Sequence, residues 1–208
     1  MTALEYIGVI ILCYLIGAIP FGVIIGKVSR GIDVRQYGSG SMGGTNVLRI
    51  VGAQAGGIVF AADIGKGAGA AALAGFLLTS PAAEWGQAAG GAAAIVGHCW
   101  PVYVGFRGGR GINTGFGAIL VMTWPVALYG LAAFIIVVTL LRYVSLGSIA
   151  ASLTMVVALI PLVALDEEPF AYLVFLLVAV PIVIFRHRGN IQRLLSGTER
   201  KIGERASS

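Results

Sequence analysis

Charged residues are scarce in this sequence. Asp, Glu, Lys and Arg make up 11% of its 208 residues, whereas soluble domains contain about 25%. Hydrophobic residues make up 58%, and the mean hydropathy is +0.93. These values exclude a soluble globular protein and predict an integral membrane protein. Because the tail at 196–208 is the only polar end of the chain, we predict a single membrane-embedded domain over residues 1–208, with no soluble domain on either side.

Cysteine, histidine and clustered acidic residues are also few. Cys13 and Cys99 both lie in apolar runs, so they indicate buried thiols rather than a disulfide framework. Asp33 and Asp63 are scattered, and the two histidines lie far apart along the chain. No group of residues has the spacing of a metal site. We therefore predict no metal and no other cofactor, and we expect no nucleic-acid partner.

The apolar runs are long enough for helices and lack the short alternation of barrel strands. We predict an all-α integral membrane protein with a bundle of seven transmembrane helices, some of them short or broken. The predicted spans are 4–26, 50–79 with a break near 63–67, 82–99, two short helices within 112–141 that turn at Trp124 and Pro125, 145–165 and 170–185. Residues 112–141 either cross twice or form a re-entrant segment, and the sequence leaves both open.

Basic residues orient the spans, because they stay on the cytoplasmic side of a membrane. Glu5 precedes the first span, whereas Lys27, Arg30 and Arg35 follow it, which places the N-terminus outside. The same rule places Arg107, Arg110, Arg142 and 186–205 in the cytoplasm, and 80–84 and 166–168 outside. With seven spans, the C-terminus and the tail at 196–208 are cytoplasmic.

A glycine-rich cluster, GSGSMGGTNVLR at 38–49, follows the first span. Glycines allow positive φ and a close approach to a ligand, so successive N–H groups can form a nest for an anion. The hydroxyl, Asn and Arg side chains make phosphate the expected anion. A flexible linker is the alternative, although Gly/Ser linkers seldom carry Thr-Asn and a terminal Arg.

A second cluster lies inside the apolar run at 50–79. Asp63 and Lys66, in the segment DIGKG, are three positions apart on a predicted helix. Charges inside a membrane segment are costly and usually line a cavity or form a pair. The sequence leaves both readings open: Lys66 faces a substrate, or it forms a local ion pair with Asp63.

Two more clusters lie at span ends on the same side. Residues 97–117 contain a second glycine nest, GGRG at 108–111. His98 either contacts substrate there or hydrogen-bonds a loop carbonyl and holds the shape of the loop, and we favour the second alternative. Residues 186–190, RHRGN, end the last span. His187 and Asn190 are three apart and either face one site or leave Asn190 as a helix cap.

These clusters resemble four motifs of one family. GSGSMGGTNVLR resembles GSGNxGATNxxR, and ADIGKG resembles DxxKG. GHCWPVYVGFRGGRGINT is similar to GHxxPxxxxFxGGKGxxT, and RHRGNIQRLLSGTERKIG is similar to HRxNIxRLxxGxExK. From 38 to 203 the chain therefore resembles the bacterial acyl-phosphate:glycerol-3-phosphate acyltransferases, the PlsY family. The resemblance implies a multi-pass enzyme of the bacterial inner membrane that makes 1-acyl-glycerol-3-phosphate and phosphate, the first acylation of phospholipid synthesis.

The resemblance also implies residue roles. It makes Ser39, Arg49, His187 and Asn190 catalytic residues, and Asp63 and His98 structural or substrate-adjacent residues. The implied substrate-binding residues are Gly38, Gly40, Ser41, Gly43, Gly44, Thr45, Asn46, Lys66, Gly108, Gly109, Arg110, Gly111, Asn113, Thr114 and Ser145. Ser41, Gly44 and Arg110 replace the usual Asn, Ala and Lys. Because Arg binds phosphate bidentately where Lys is a point charge, we expect binding to survive with a changed geometry.

The implied substrates are glycerol-3-phosphate and acyl phosphate, and the lipid bilayer can hold the acyl tail. Acyl phosphate is already activated, so the enzyme mainly positions substrates and neutralises charge. The proton acceptor is either His187 or the substrate phosphate, since the ordinary pKa of histidine is about 6.5 and the second pKa of the phosphate is about 6. We favour the phosphate, with His187 and Asn190 orienting glycerol-3-phosphate. Whether the soluble enzyme that supplies acyl phosphate docks here is left open.

An anion channel and a structural membrane subunit are the alternatives from other classes. A channel requires polar groups along its whole path, and the predicted external side has little beyond Glu84 and 166–168. A structural subunit leaves four phosphate-suited clusters on one face unexplained. We therefore expect the four clusters to converge in one inward-facing pocket.

Overall fold

The chain is described by a computed structural model over residues 3–78 and 83–203. Within these ranges the secondary structure is helical, which confirms the predicted all-α class. The chain divides into two compact units, Met1–Met122 and Thr123–Ser208, and each is described by itself. Residues 80–82 of the predicted external segment and 204–208 of the predicted tail lie outside the described residues.

The first unit contains six α-helices in its described residues. They are α1 (Ala3–Ala18), α2 (Phe21–Arg30), α3 (Gly44–Ile50), α4 (Ala53–Leu77), α5 (Ala83–Cys99) and α6 (Ile112–Met122). Short 3-10 helices at Val34–Gln36 and Val102–Val104 precede the two glycine-rich segments. Because α4 packs against each of the other five helices, it is the element that positions them.

Two helix breaks shape this unit. Pro20 separates α1 from α2, because proline has no N–H to donate and cannot continue α1. Gly52 separates α3 from α4 with a φ of 128°, a conformation that residues with a side chain rarely adopt. The first predicted span is thus two helices, and the second begins with a separate short one.

Glycines bring the helix backbones of this unit into direct contact. A Cβ at Gly67 of α4 would overlap the backbone of Thr114, and one at Gly117 of α6 would overlap the backbone of Ile64. Gly17 of α1 and Gly97 of α5 are in the same position against Ala94 and Tyr14. Small residues at such contacts are typical of helix packing in membranes, where no hydrophobic force drives apolar helices together.

The second unit contains four α-helices in the part that the structure describes. They are α7 (Trp124–Leu141), α8 (Val144–Ala164), α9 (Phe170–Arg186) and α10 (Arg188–Leu195). α8 packs against α7 and α9, and α10 packs against α8 and α9. α9 and α10 meet at an angle of 58°. The chain after α10 returns to the turn between α7 and α8, where Arg142 and Ile202 exchange two hydrogen bonds of 2.8 Å.

Most predicted helix boundaries are confirmed within a few residues. The predicted spans 145–165 and 170–185 match α8 and α9, and 112–141 forms two helices that separate at Thr123 rather than at the predicted Trp124 and Pro125. The predicted break at 63–67 is wrong. α4 runs unbroken through that segment, because Asp63 and Lys66 pair with each other and leave the helical hydrogen bonds intact.

By length and apolar composition, four segments of the described residues can cross a membrane. They are Ala3–Arg30, Ala53–Leu77, Trp124–Leu141 and Val144–Ala164. The bent pair α9 and α10 makes a fifth if it is one span. α5 and α6, with 17 and 11 residues, are about 26 Å and 17 Å long at a rise of 1.5 Å per residue. The seven-span count and the orientation of the termini stay predictions.

Candidate active site

The first glycine-rich segment is organised by one buried side chain, Asn46 of α3. Its amide nitrogen donates to the carbonyl oxygens of Val34 (2.9 Å), Tyr37 (3.2 Å) and Ser41 (2.9 Å), and its Oδ1 accepts from the backbone N–H of Ser39 (3.0 Å). Every polar atom of the Asn46 side chain therefore bonds to the loop. This geometry indicates a loop-shaping role for Asn46, and its predicted contact with substrate stays a prediction.

Ser39 and Arg49 are both exposed, unlike Asn46. Gly38 and Gly40 flank Ser39 with φ of 62° and 70°, so glycine is required on both sides of the exposed serine. Ser41 Oγ accepts from the N–H of Gly43 at 3.2 Å. This segment can therefore present Ser39 and Arg49 to an anion outside the loop.

Only the first part of the predicted loop at 38–49 is a loop. Gly43 is the N-cap of α3, and Gly44, Thr45, Asn46 and Arg49 lie within that helix. A Cβ at Gly44 would lie 3.0 Å from the Phe60 ring, so the alanine of the family pattern would require that ring to shift.

The second glycine-rich segment lies between α5 and α6. The N–H of Gly109 donates to the carbonyl of His98 at 3.0 Å, and the His98 ring lies so close to Gly109 that a Cβ there would overlap it. Gly108 and Gly109 are buried, while Arg110 is half-buried. His98 contacts the loop through its own backbone carbonyl and its ring. The predicted hydrogen bond from the His98 side chain to a loop carbonyl stays a prediction.

The first turn of α6 follows this loop directly. Gly111 has a φ of 84°, and its carbonyl accepts from the N–H of Gly115 at 2.7 Å. Asn113 is half-buried in this turn. Thr114 is fully buried, and its Oγ1 has no hydrogen-bond partner among the described residues. A glycine turn at the start of a helix is a favourable anion site, because N–H groups point out of the helix end.

Lys66 and Asp63 form a buried ion pair in α4. Lys66 Nζ lies 2.8 Å from Asp63 Oδ1, and each side chain is 2% exposed. Lys66 Nζ also donates to the carbonyl of Ile19 at 3.0 Å, next to the break between α1 and α2, and lies 5.7 Å from the centre of the Phe21 ring. These contacts support the ion-pair alternative. A substrate contact of Lys66 remains a prediction.

Asp63 also faces the second loop. Its Oδ1 lies 3.5 Å from His98 Nδ1, and His98 in turn lies against Gly109. A chain of contacts therefore leads from the helix break at Ile19 through Lys66 and Asp63 to the loop. The motif that contains Asp63 does not reveal that His98 is the residue that the carboxylate meets.

In the second unit, Glu199 is bonded to two predicted site residues. Its Oε1 accepts from Ser145 Oγ and from Asn190 Nδ2, both at 2.6 Å, and its Oε2 accepts from Arg193 Nε at 2.8 Å. Burial raises the pKa of this carboxyl, but the hydrogen bonds from Ser145, Asn190 and Arg193 outweigh burial and hold the pKa below its usual 4.5. Glu199 is therefore an ionised anchor for both side chains.

Glu199 is not among the site residues that the motifs predict. The closing motif contains this Glu, nine residues after Asn190. An acidic residue in a polar tail usually contacts water rather than a specific side chain, so the motif alone does not indicate its partners. Asn190 lies inside α10 rather than at its end, so the helix-cap alternative for Asn190 is wrong.

His187 lies at the bend between α9 and α10 and is 1% exposed. Its Nδ1 lies 2.8 Å from the carbonyl oxygen of Val183. A carbonyl can only accept, so Nδ1 carries a proton, and Nε2 is the basic nitrogen of the neutral ring. Among the described residues no three His, Cys, Asp or Glu side chains form a group that could hold a metal ion.

These residues are held in two groups. The first unit contains the loops with Ser39, Arg49 and Arg110, and the second contains Ser145, His187 and Asn190. That the two groups serve one pocket stays a prediction.

Sequence comparison decides the family. A family model described as glycerol-3-phosphate acyltransferase matches residues 7–197. Over 193 residues the chain is 45% identical to a glycerol-3-phosphate acyltransferase of Parasynechococcus marenigrum (strain WH8102), covering 93% of this chain and 88% of the relative. The chain belongs to the glycerol-3-phosphate acyltransferase family. A relative in this family from Geobacillus kaustophilus (strain HTA426) is 43% identical over 202 residues, covering 97% of this chain and 96% of the relative.

The family assignment agrees with the fold. Two crystal structures of PlsY, an integral membrane glycerol 3-phosphate acyltransferase, are each 36% identical to the chain and cover 95% of it. The glycerol 3-phosphate form has a TM-score of 0.85 and is covered to 96%, and the lysophosphatidic acid form has a TM-score of 0.83 and is covered to 95%. With its apolar helices, this acyltransferase-family chain is a multi-pass membrane protein.

Proposed function

We propose that the chain transfers a fatty acyl group from acyl phosphate to the sn-1 hydroxyl of glycerol-3-phosphate, giving 1-acyl-glycerol-3-phosphate and inorganic phosphate. The observation that carries this proposal is the pair of glycine-rich loops of the first unit, each next to an arginine, in a chain of this family. Both substrates carry a phosphate, and each glycine-rich segment contains a guanidinium, Arg49 or Arg110, that can bind one.

The reaction is one substitution at the acyl carbonyl. The glycerol-3-phosphate hydroxyl oxygen bonds to the carbonyl carbon, the bond from that carbon to the phosphate oxygen breaks, and phosphate leaves with the electron pair. Ser39, Arg49 and Arg110 bind phosphate and neutralise the charge that develops on the leaving group. The hydroxyl proton goes to the phosphate of the substrate, whose second pKa is about 6.

His187, Asn190 and Ser145 orient glycerol-3-phosphate in this mechanism. The Val183 carbonyl fixes the tautomer of His187, and Glu199 fixes the amide of Asn190 and the hydroxyl of Ser145. Fixed side chains lower the entropy cost of aligning the hydroxyl with the acyl carbon. The finer topology belongs to the same proposal: seven spans in a bacterial inner membrane, with the N-terminus outside and the catalytic loops and C-terminus in the cytoplasm.

The donor is tested with purified protein, glycerol-3-phosphate and one donor at a time: acyl phosphate, acyl-CoA or acyl-acyl carrier protein. We expect product from acyl phosphate only. Arg49→Gln is the inactive control, with Arg30→Gln as the matched charge change at an exposed site outside the loops. Product from acyl-CoA but not from acyl phosphate would overturn the donor assignment.

The role of His187 is tested separately. If His187 orients glycerol-3-phosphate, His187→Ala raises the KM for glycerol-3-phosphate. Loss of turnover with an unchanged affinity for glycerol-3-phosphate would instead make His187 the acid or base.

A further inference from the structure

Arg35 connects the two glycine-rich segments of the first unit. It lies in the 3-10 helix Val34–Gln36, directly before the first segment. Its Nη1 donates to the carbonyl oxygens of Val104 at 2.7 Å and Arg107 at 3.4 Å. Both carbonyls belong to the turn that leads into the second segment at 108–111. A residue 69 positions away in the chain thus braces the entry to that loop.

Asp33 holds the Arg35 guanidinium in place. Its Oδ1 accepts from Arg35 Nε at 3.0 Å, and its Oδ2 accepts from Nη2 at 2.7 Å and from Nε at 3.2 Å. Oδ1 also accepts from the backbone N–H of Arg35 at 3.0 Å. The hydrogen bonds from Arg35 hold the pKa of Asp33 below its usual value, so the pair stays charged at neutral pH. The guanidinium can then present Nη1 to the two carbonyls in one orientation.

The turn that receives Arg35 needs such support. Phe106 has a φ of 60°, although it is not glycine, and Gly105 has a φ of 69°. A side chain in the left-handed region costs about 1 kcal/mol or more, and 105–107 is exposed. A strained and exposed turn keeps one shape only if neighbouring groups fix it.

We infer that Arg35 and Asp33 are positioning residues for substrate phosphate. They hold the turn at 104–107, and through it the GGRG loop, in a fixed position relative to the loop that carries Ser39. The inference rests on the proposed function. Arg35 itself does not have to touch substrate. Lysine cannot replace it, because a single ammonium cannot bind both carboxylate oxygens and the two carbonyls in a planar fork.

The experiment compares Arg35→Gln, Arg35→Lys and Asp33→Asn with the wild type. Arg30→Gln is the control, because it removes the same positive charge as Arg35→Gln from an exposed site near by. The kinetic readouts are kcat and the KM for acyl phosphate, whose phosphate the loops with Ser39 and Arg110 are proposed to bind. Misplacing a substrate-positioning group by about 1 Å can lower the reaction rate about 100-fold. We therefore expect kcat/KM for acyl phosphate to fall by about 10-fold to 100-fold in both Arg35 variants, with a raised KM. Arg30→Gln should match the wild type. Because Asp33 acts through Arg35, Asp33→Asn/Arg35→Gln should be no worse than Arg35→Gln.

Hydrogen–deuterium exchange of peptides covering 101–111 gives a readout that does not depend on activity. We expect faster exchange there in Arg35→Gln, with α5 unchanged as the internal reference. If exchange at 101–111 is unchanged, Arg35 does not stabilise the turn and the inference is wrong. If exchange rises but KM stays at the wild-type value in an active protein, Arg35 only stabilises the turn and positioning is overturned. An inactive wild-type protein would contradict the proposed function but not the contact made by Arg35, because hydrogen–deuterium exchange at 101–111 tests that contact without any activity.

Discussion

At the scale of the residue, the side chains chosen from the motifs divide by what they contact. Ser39 and Arg49 are exposed, whereas Asn46 uses its amide group to bond the carbonyls of its own loop. The residue types and their spacing indicated a phosphate site. They did not distinguish the groups that face a ligand from those that shape the loop, because that depends on the path of the backbone around Asn46.

Glu199 provides a prediction at this scale. Its folded-state pKa is below 4.5, so its contribution to stability is present above the unfolded-state pKa and is lost as the pH falls through the lower folded-state value. We expect the wild-type melting temperature to be flat near neutral pH and to fall below about pH 4.5. Glu199→Gln removes charge-assisted hydrogen bonds of about 1.5–3 kcal/mol each, so it should melt lower at pH 7 and show a weaker acid dependence.

Thermal unfolding in detergent between about pH 3.5 and about pH 7.5 measures this, since that range begins about one unit below the usual Glu pKa. The control is Glu167→Gln, which makes the same change at an exposed acid. Equal melting temperatures for Glu199→Gln and the control would show that the anchor contributes no stability.

At the scale of the element, α4 carries a buried ion pair whose role can be separated from substrate binding. Removing one partner of such a pair costs about 3–5 kcal/mol, because the other charge stays buried. Lys66→Gln and Asp63→Asn should therefore each melt well below the wild type. The double variant leaves no buried charge, and the amide introduced by Lys66→Gln can still donate to a carbonyl. It should regain stability and keep the wild-type KM for glycerol-3-phosphate.

Melting curves and steady-state kinetics of the two single variants and the double variant decide between the two roles of Lys66. A double variant that is folded and stable but has lost glycerol-3-phosphate binding would contradict the ion-pair role and return Lys66 to the substrate site.

The contact between α4 and α6 gives a second prediction for an element. Gly67→Ala places a methyl group against the backbone of Thr114, and overpacking of this kind costs about 1–3 kcal/mol. Gly65→Ala on the same helix meets nothing within 4 Å, and alanine favours a helix over glycine by about 1 kcal/mol. We expect Gly67→Ala to melt lower and Gly65→Ala to melt at or above the wild-type temperature. Similar melting temperatures for both would refute the close contact.

At the scale of the whole molecule, the proposed topology can be tested by cysteine labelling. The native Cys13 and Cys99 are both fully buried, so background labelling should be low. Ser29 and Glu167 are exposed and are predicted to lie on opposite sides of the membrane. A membrane-impermeant maleimide should label Glu167→Cys in intact cells and Ser29→Cys only after the membrane is opened. The reverse pattern would invert the orientation.

The sequence by itself determined the class, most helix boundaries and the family, since hydropathy depends on composition and the motifs on local order. It also predicts which residue types bind phosphate, because glycine turns and guanidinium groups have that chemistry wherever they fold. Only the tertiary structure decided that α4 stays unbroken at 63–67, that Lys66 bonds to Ile19 and that Glu199 meets Ser145 and Asn190. Those outcomes depend on contacts between residues distant in the chain, and local sequence does not specify which partner satisfies a buried polar group.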